Sequence, residues 1–315
     1  MALPSRPAAS GAATTRPAAL LPLLLLLLLG AVWGGVIPIA KAAAVHGVPP
    51  IGYTFWYALG AGLLLSGLAF ARGAAPAADR RHLVYYALCG VIGISLPQVN
   101  NLYVLRHVPA GAMAVVMTMA PVFTYALALA IGVERFRTVR FAGIACGLAG
   151  ALALVLPRDG LPGGPATAAW VALGLATPAC YAAQNILAAR LRPPGSASLA
   201  LAGGMLLVAA AALLPVGLVT GELFVPGWPL GVAELALLAQ LLLTSVAYLL
   251  YFELLRLAGP VFVAQVAYVV TATAVGWGVL LFDERHGPWM LVAVLLVFAG
   301  VALVNLRRGG GGDRC

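Results

Sequence analysis

Charge is what this 315-residue chain has least of: 18 basic and 9 acidic residues, 9% of the sequence, against 63% hydrophobic. A soluble domain carries about 25% charged residues, so 27 charges are too few to cover a water-soluble globule. Nucleic-acid binding is excluded with it, because no Lys/Arg clusters are present to follow phosphates. Lysine is nearly absent, Lys41 being the only one. Of the four cysteines, Cys89, Cys146 and Cys180 lie in apolar stretches and Cys315 ends the chain, without metal-ligand spacing or a disulfide framework. His46, His82, His107 and His286 all fall in expected loops and make no metal site. P-loop, HExxH, GxSxG and CxxC motifs are missing as well, which argues against an ATP-driven pump and leaves a membrane enzyme without a visible catalytic set. Neither an enzymatic activity nor a cofactor is expected.

What the chain does have is long apolar runs, and its mean hydropathy is +1.03. At roughly 20 residues per membrane crossing, ten spans are predicted, near 20–40, 51–71, 84–105, 110–131, 139–156, 168–189, 199–219, 231–252, 261–281 and 288–306. In hydrocarbon every backbone polar group must be satisfied internally, so such runs form helices. They lack the period-two alternation of a β-barrel. Residues 1–19, rich in Pro, Ala, Ser and Thr with Arg6 and Arg16, are expected to be a disordered tail. Leu23–Leu29 resembles the core of a signal peptide, with Ala40-Lys41-Ala42 as a cleavage site. The apolar stretch nevertheless exceeds the about 7–15 residues of such a core and suffices to span. Residues 307–315 form a second tail, opening on Arg307-Arg308.

The few charges carry topology. With the amino terminus inside, Arg6, Arg16, Arg72, Arg80, Arg81, Arg135, Arg137, Arg140, Arg190, Arg192, Arg256, Arg307, Arg308 and Arg314 share one face; Lys41, Arg106, Arg158 and Arg285 share the other. Fourteen against four, out of 18, places both termini in the cytoplasm. The expected location is the plasma membrane of a bacterium.

Shifted by 150 residues, Arg106 meets Arg256, Glu134 meets Glu284 and Arg135 meets Arg285, and Leu105, Ala114, Val116, Ala149, Gly150 and Leu156 meet identical residues. Lys41 stands 149 residues before Arg190. Two repeats are expected, 20–156 and 168–306, joined by a linker at 157–167. With five helices each, an odd number, the repeats have opposite orientations. Such units interconvert between inward-open and outward-open states around a substrate at the midplane.

Four features now carry a family resemblance: Trp33-Gly34 with Lys41 at the end of the first helix, Arg106-His107-Val108-Pro109-Ala110-Gly111 between helices three and four, Ala120-Pro121 in helix four followed by Glu134-Arg135, and Glu284-Arg285 after helix nine. The chain resembles a ten-helix EamA-type member of the drug/metabolite transporter superfamily from about Leu20 to Leu306. The resemblance implies an all-α integral membrane transporter of ten helices in two inverted five-helix repeats. The second half departs from the first. Thr271 stands where a proline would match Pro121, and Ala182 and Ala183 stand where Trp-Gly would recur.

Polar side chains in mid-span are costly and mark candidate sites. Helix three offers Pro97, Gln98, Asn100 and Asn101; helix six Tyr181, Gln184 and Asn185; helix eight Tyr248 and Tyr251; helix nine Gln265 and Tyr268. Trp33, Trp56 and Tyr57 could wall the same pocket. The alternative for each residue is that it joins helices. Lys41, Arg106 and Glu253 are charge or gating candidates, Lys41 and Arg106 for a substrate carboxylate. Gly30 with Gly34 and Gly143 with Gly147 have GxxxG spacing, suited to packing within one copy or to a homodimer. The related small multidrug resistance proteins exchange protons for cationic drugs through a glutamate in the first helix, and this first span has no acid. Export of small metabolites or amino acids by alternating access fits better. Proton-coupled multidrug efflux, with Glu253 as the proton carrier, and a non-transporting structural or interaction role are the alternatives. The expected partners are a small-molecule substrate and the lipid bilayer.

Overall fold

A computed structural model describes residues 17–107, 113, 116–155, 165–228, 230–273 and the scattered residues 292, 295–296, 298–300 and 303–304. The described residues are helical and include no strand. Helix α1 spans Pro17–Val45, α2 Pro50–Ala71, α3 Arg80–Leu105, α4 Ala120–Ala130 and α5 Thr138–Val155. Helix α6 has two parts, Pro165–Gly174 and Ala176–Arg190, followed by α7 at Ser198–Thr220, α8 at Val232–Ala258 and α9 at Pro260–Thr273. Six helices are long and apolar enough to cross a membrane, and Ala120–Ala130, Thr138–Gly150 and Pro260–Thr273 are shorter apolar helices. Most of the expected tenth span, 288–306, lies outside the described residues, as do Arg158, Glu284 and Arg285.

Helix ends follow local chemistry. Pro49 is extended and Pro50 opens α2, where a missing N–H costs nothing. Gly73, at φ 72° in the left-handed region, follows the last turn of α2. Asp79 caps α3 by accepting from the N–H groups of Arg81 (2.9 Å) and His82 (3.2 Å). Inside α3, Pro97 has no N–H to give and its ring crowds the carbonyl four residues back. The chain answers with a π turn at Val91–Ser95, in which the N–H of Leu96 reaches the carbonyl of Val91. Helix α6 breaks at Leu175, three residues before Pro178.

Several of the packed helix pairs follow an exchange rule. Helix α2 packs on α7, α1 on α8, α3 on α6, α4 on α6, α2 on α8, α3 on α7 and α4 on α9. Helix α1 also meets α9, where a Cβ on Gly30 would strike Val269 and one on Gly34 would strike Thr273. Replacing each helix n by n+5 maps these pairs onto one another: 1–8 becomes 6–3, 4–6 becomes 9–1, 2–8 becomes 7–3. Helices α3 and α8 run in opposite directions. Helix α3 starts beside Ser196, which His82 touches, and ends beside Glu222, which Tyr103 touches. Helix α8 starts just after the Glu222 segment and carries Glu253 near its far end, within electrostatic reach of Arg192. The GxxxG pairs are used inside the copy. The Thr273 hydroxyl donates to the carbonyl of Gly30 at 2.9 Å, and Gly143 and Gly147 abut Gly300 and Val304 of the C-terminal stretch.

Candidate functional site

The seam between the two sets of helices holds a connected group of aromatic and amide side chains. The Trp33 ring of α1 lies 6.2 Å from Tyr248 and 5.9 Å from Tyr251 of α8, with the two tyrosine rings 5.9 Å apart. The Tyr251 hydroxyl donates to Asn185 Oδ1 of α6 at 3.0 Å, and the Asn185 amide donates to Thr124 Oγ1 of α4 at 3.4 Å. Asn185 and Gln184 are 6% and 4% exposed, and Thr124 is fully buried. Tyr57 of α2 adjoins Tyr248, Tyr181 and Tyr53, with the Gln98 amide beside its hydroxyl. Tyr248 in turn adjoins Tyr181 and Gln184.

The π turn seats Gln184. Gly93 within it lies so close that a Cβ there would come 2.1 Å from Gln184 Cδ. The Gln184 amide then reaches Met205 Sδ of α7 at 3.8 Å. Thus Trp33, Tyr57, Gln98, Tyr181, Gln184, Asn185 and Tyr248 come together, from five helices and with no carboxylate, amine or guanidinium among them.

Other candidates go elsewhere. Asn100 donates to Thr177 Oγ1 at 2.8 Å and to the carbonyl of Leu173 at 3.2 Å, next to the break in α6. Its amide satisfies backbone that Pro178 disturbs, as broken helices in lipid require. The Tyr268 hydroxyl donates to the carbonyl of Ile144 at 3.0 Å, and its ring covers Gly147, so it joins α9 to α5. Asn101 keeps a buried Oδ1 without a partner among the described residues. Gln265 sits at a turn in α9: its backbone N–H bonds Phe262, and its side-chain amide takes over the carbonyl of Val261 at 3.3 Å. That leaves Gln265 Oε1, on a fully buried residue, without a partner among the described residues.

The charged candidates lie at the ends of the bundle. Arg106 is exposed, its guanidinium 5.4 Å from the centre of the Tyr103 ring. Glu253 forms an ion pair with Arg256 one turn later, and Nε donates to Oε2 at 3.1 Å. These are corresponding places in the 150-residue register, 103 with 253 and 106 with 256, each with an i,i+3 contact. Lys41 lies in the last turns of α1, and its side chain falls outside the described residues.

Four residues have partners that the sequence does not announce: Thr124, Glu222, Trp56 and His82. Thr124 is one more hydroxyl in an apolar run, and only the fold sets it beside Asn185. Glu222 accepts from the Tyr103 hydroxyl and from the N–H of Ile51 (3.3 Å), tying the α7–α8 connection to α2 and α3. The Trp56 indole donates to the carbonyl of Phe224 at 2.6 Å in the same segment. At the opposite end His82 joins Asp79 to Ser196, with Nε2 2.8 Å from Ser196 Oγ.

Comparison with known proteins fits this architecture. The model of the EamA-like transporter family matches residues 20–156 and 168–306. The chain belongs to the EamA-like transporter family. It is a multi-pass membrane transporter. Over 312 residues it is 28% identical to a probable terminal-alkyne amino-acid exporter of Streptantibioticus cattleyicolor, covering 89% of this chain and 95% of that one. Over 300 residues it is 30% identical to YedA, an uncharacterized inner membrane transporter of Escherichia coli K12, covering 91% and 92%. A protein crystal structure, 19% identical, superposes with a TM-score of 0.73 over 94% of this chain and all of that chain, which shows the shared fold.

Proposed function

We propose that this EamA-family chain is a secondary transporter that exports small neutral or zwitterionic metabolites, amino acids in particular, by alternating access between two inverted five-helix halves. The supporting observation is the seam cluster. Trp33, Tyr57, Gln98, Tyr181, Gln184, Asn185 and Tyr248 converge where the halves meet, and two further candidates, Asn101 and Gln265, keep a buried side-chain oxygen without a partner among the described residues. A buried polar atom without a partner calls for an explanation, and a solute or water that comes and goes supplies one. Uncharged amides and hydroxyls suit a substrate whose own charges cancel, since an ionic substrate needs a buried counter-charge. The Streptantibioticus relative, named as an amino-acid exporter, points the same way. In this reading both termini face the cytoplasm of a bacterium, and Arg106 and Lys41 draw substrate carboxylates at the outer end.

The test is flux. Purified protein in liposomes is loaded with labelled amino acids and efflux is followed with and without a proton gradient. The proposal expects efflux down the solute gradient, lost in Asn185→Ala and Gln98→Ala variants that insert normally. Aromatic walls also suit a hydrophobic cation, so a cationic dye is run beside the amino acids. Dye movement only with a proton gradient would favour proton-coupled multidrug efflux, in which Glu253 would have to leave Arg256 to carry the proton. Absence of flux for every solute would leave these residues a purely structural role.

A further inference from the structure

Away from the seam, a partly open cavity of about 350 Å³ lies at the start of α5, lined by Phe136, Arg137, Thr138, Val139, Arg140, Leu303 and Val304. One wall is cationic and the other apolar. Arg140 pairs with Glu134, so its charge is answered. Arg137 is held differently: its backbone N–H donates to the Tyr125 hydroxyl at 2.9 Å, while its guanidinium makes no ion pair among the described residues. Among the described residues, then, the backbone is fixed and the charge is left over. The first turn of α5 adds N–H groups that the helix itself does not use, since the earliest intrahelical bond there is Phe141 to Arg137. Leu303 and Val304 of the C-terminal stretch close the far side. Outside, Phe136 and Phe141 are 60% and 56% exposed with rings 6.1 Å apart, and below them Ala145 and Ala149 continue the outward face of α5.

We infer that this cavity binds the phosphate headgroup of an anionic phospholipid, with Arg137 as its counter-charge and the outward face of α5 beneath Phe141 as the bed of an acyl chain. Three features select an amphiphile over a free anion. The cavity lies at a helix end, where the headgroup layer meets the hydrocarbon. Its second wall, among the described residues, is formed by the aliphatic Leu303 and Val304. Large aromatic side chains flank it on the lipid side, as at membrane-facing surfaces elsewhere. Basic pockets between transmembrane helices are a known form of headgroup recognition. The inference does not depend on the seam being the substrate site.

The test uses the full chain in detergent, titrated with phosphatidylglycerol or phosphatidylcholine and read by native mass spectrometry. Phosphatidylglycerol is expected to be retained in preference to phosphatidylcholine. Arg137→Gln should weaken its retention about fivefold, the worth of roughly one basic residue near an anionic surface. Arg135→Gln, one exposed arginine outside the cavity, should leave it unchanged. Thermal unfolding without added lipid checks that Arg137→Gln folds, and Phe136→Ala offers a second probe from the apolar side. Equal retention of the two lipids would overturn the inference, as would equal loss in the two arginine variants. Complete displacement by millimolar inorganic phosphate would overturn it too, by showing a free-anion site.

Discussion

Tyr251 donates to Asn185 across the seam, and through Asn185 helix α8 is linked to α6 and on to Thr124 of α4. One amide thus spans three helices drawn from both halves. Tyr251→Phe removes the donor and leaves Asn185 Oδ1 buried and bare, at a cost of about 1–3 kcal/mol for an unsatisfied group. Interhelical bonds within lipid average nearer about 0.6 kcal/mol, so the lower end is expected. The variant should unfold slightly earlier in detergent and move substrate more slowly, measured by thermal unfolding and liposome efflux.

Gly93 offers a steric test. Alanine there would collide with Gln184, whereas Gly67, with open space around it, would meet nothing. Gly93→Ala should cost about 1–3 kcal/mol through overpacking and lower efflux by displacing the Gln184 amide. Gly67→Ala should be neutral or slightly stabilising, by up to about 1 kcal/mol. Equal behaviour of the two would remove the π turn from any role in seating Gln184.

Gln265 separates structure from transport. Gln265→Leu loses both the amide that serves the Val261 carbonyl and the free Oε1, so stability and efflux should fall together. Gln265→Glu keeps the length and, when protonated, a donor. It also keeps a side-chain oxygen acceptor, so if Oε1 accepts from substrate, Gln265→Glu should retain much of the efflux that Gln265→Leu loses, read as the ratio of each variant to wild type.

The tie at Glu222 should control opening at its own end. Glu222→Gln weakens a charge-assisted bond from Tyr103 to an ordinary one. Amide hydrogen exchange in residues 50–56 and 221–224 should speed up several-fold, while exchange around His82 and Ser196 stays unchanged. Equal acceleration at both ends would mean a general loosening.

Asp79 gives a pH signature. Desolvation raises its carboxyl, but the N–H of His82, the His82 imidazole and the N–H of Arg81 together outweigh it and hold the group below its ordinary 3.8. A depressed carboxyl adds stability that is present above the unfolded value and lost as pH falls through the folded one. Asp79→Asn should therefore lower the unfolding temperature near neutral pH. The difference from wild type should vanish well below pH 3.8.

The described helices were legible because hydrocarbon allows so few alternatives. The expected 51–71 and 199–219 became Pro50–Ala71 and Ser198–Thr220. The span expected at 231–252 runs on to Ala258, since a period-free apolar run holds no stop before Gly259. Discontinuities were harder. Pro97 and Pro178 announced trouble in α3 and α6, but the choice of a π turn in one and a break in the other depends on neighbours such as Gln184 and Asn100. The turn at Gln265 has no proline to mark it. Within the site, the aromatic and amide candidates could be found one at a time by their cost in lipid. Nothing in the sequence said that Asn100 would serve the broken α6 backbone, or that Tyr268 would cross to Ile144, because partner choice is settled by helix rotation and not by composition.

The glycines bear on how the protein behaves when diluted. Gly30, Gly34, Gly143 and Gly147 face Val269, Thr273, Tyr268, Gly300 and Val304 of their own chain. Close backbone approach, the usual source of affinity between helices in a bilayer, is therefore already used within one copy. Outward residues such as Leu63, Leu64, Phe70 and Leu218 gain little by exchanging lipid tails for a second copy. Mass action then has little to act on: the rate per molecule should stay constant as lipid is added and the copies are spread apart.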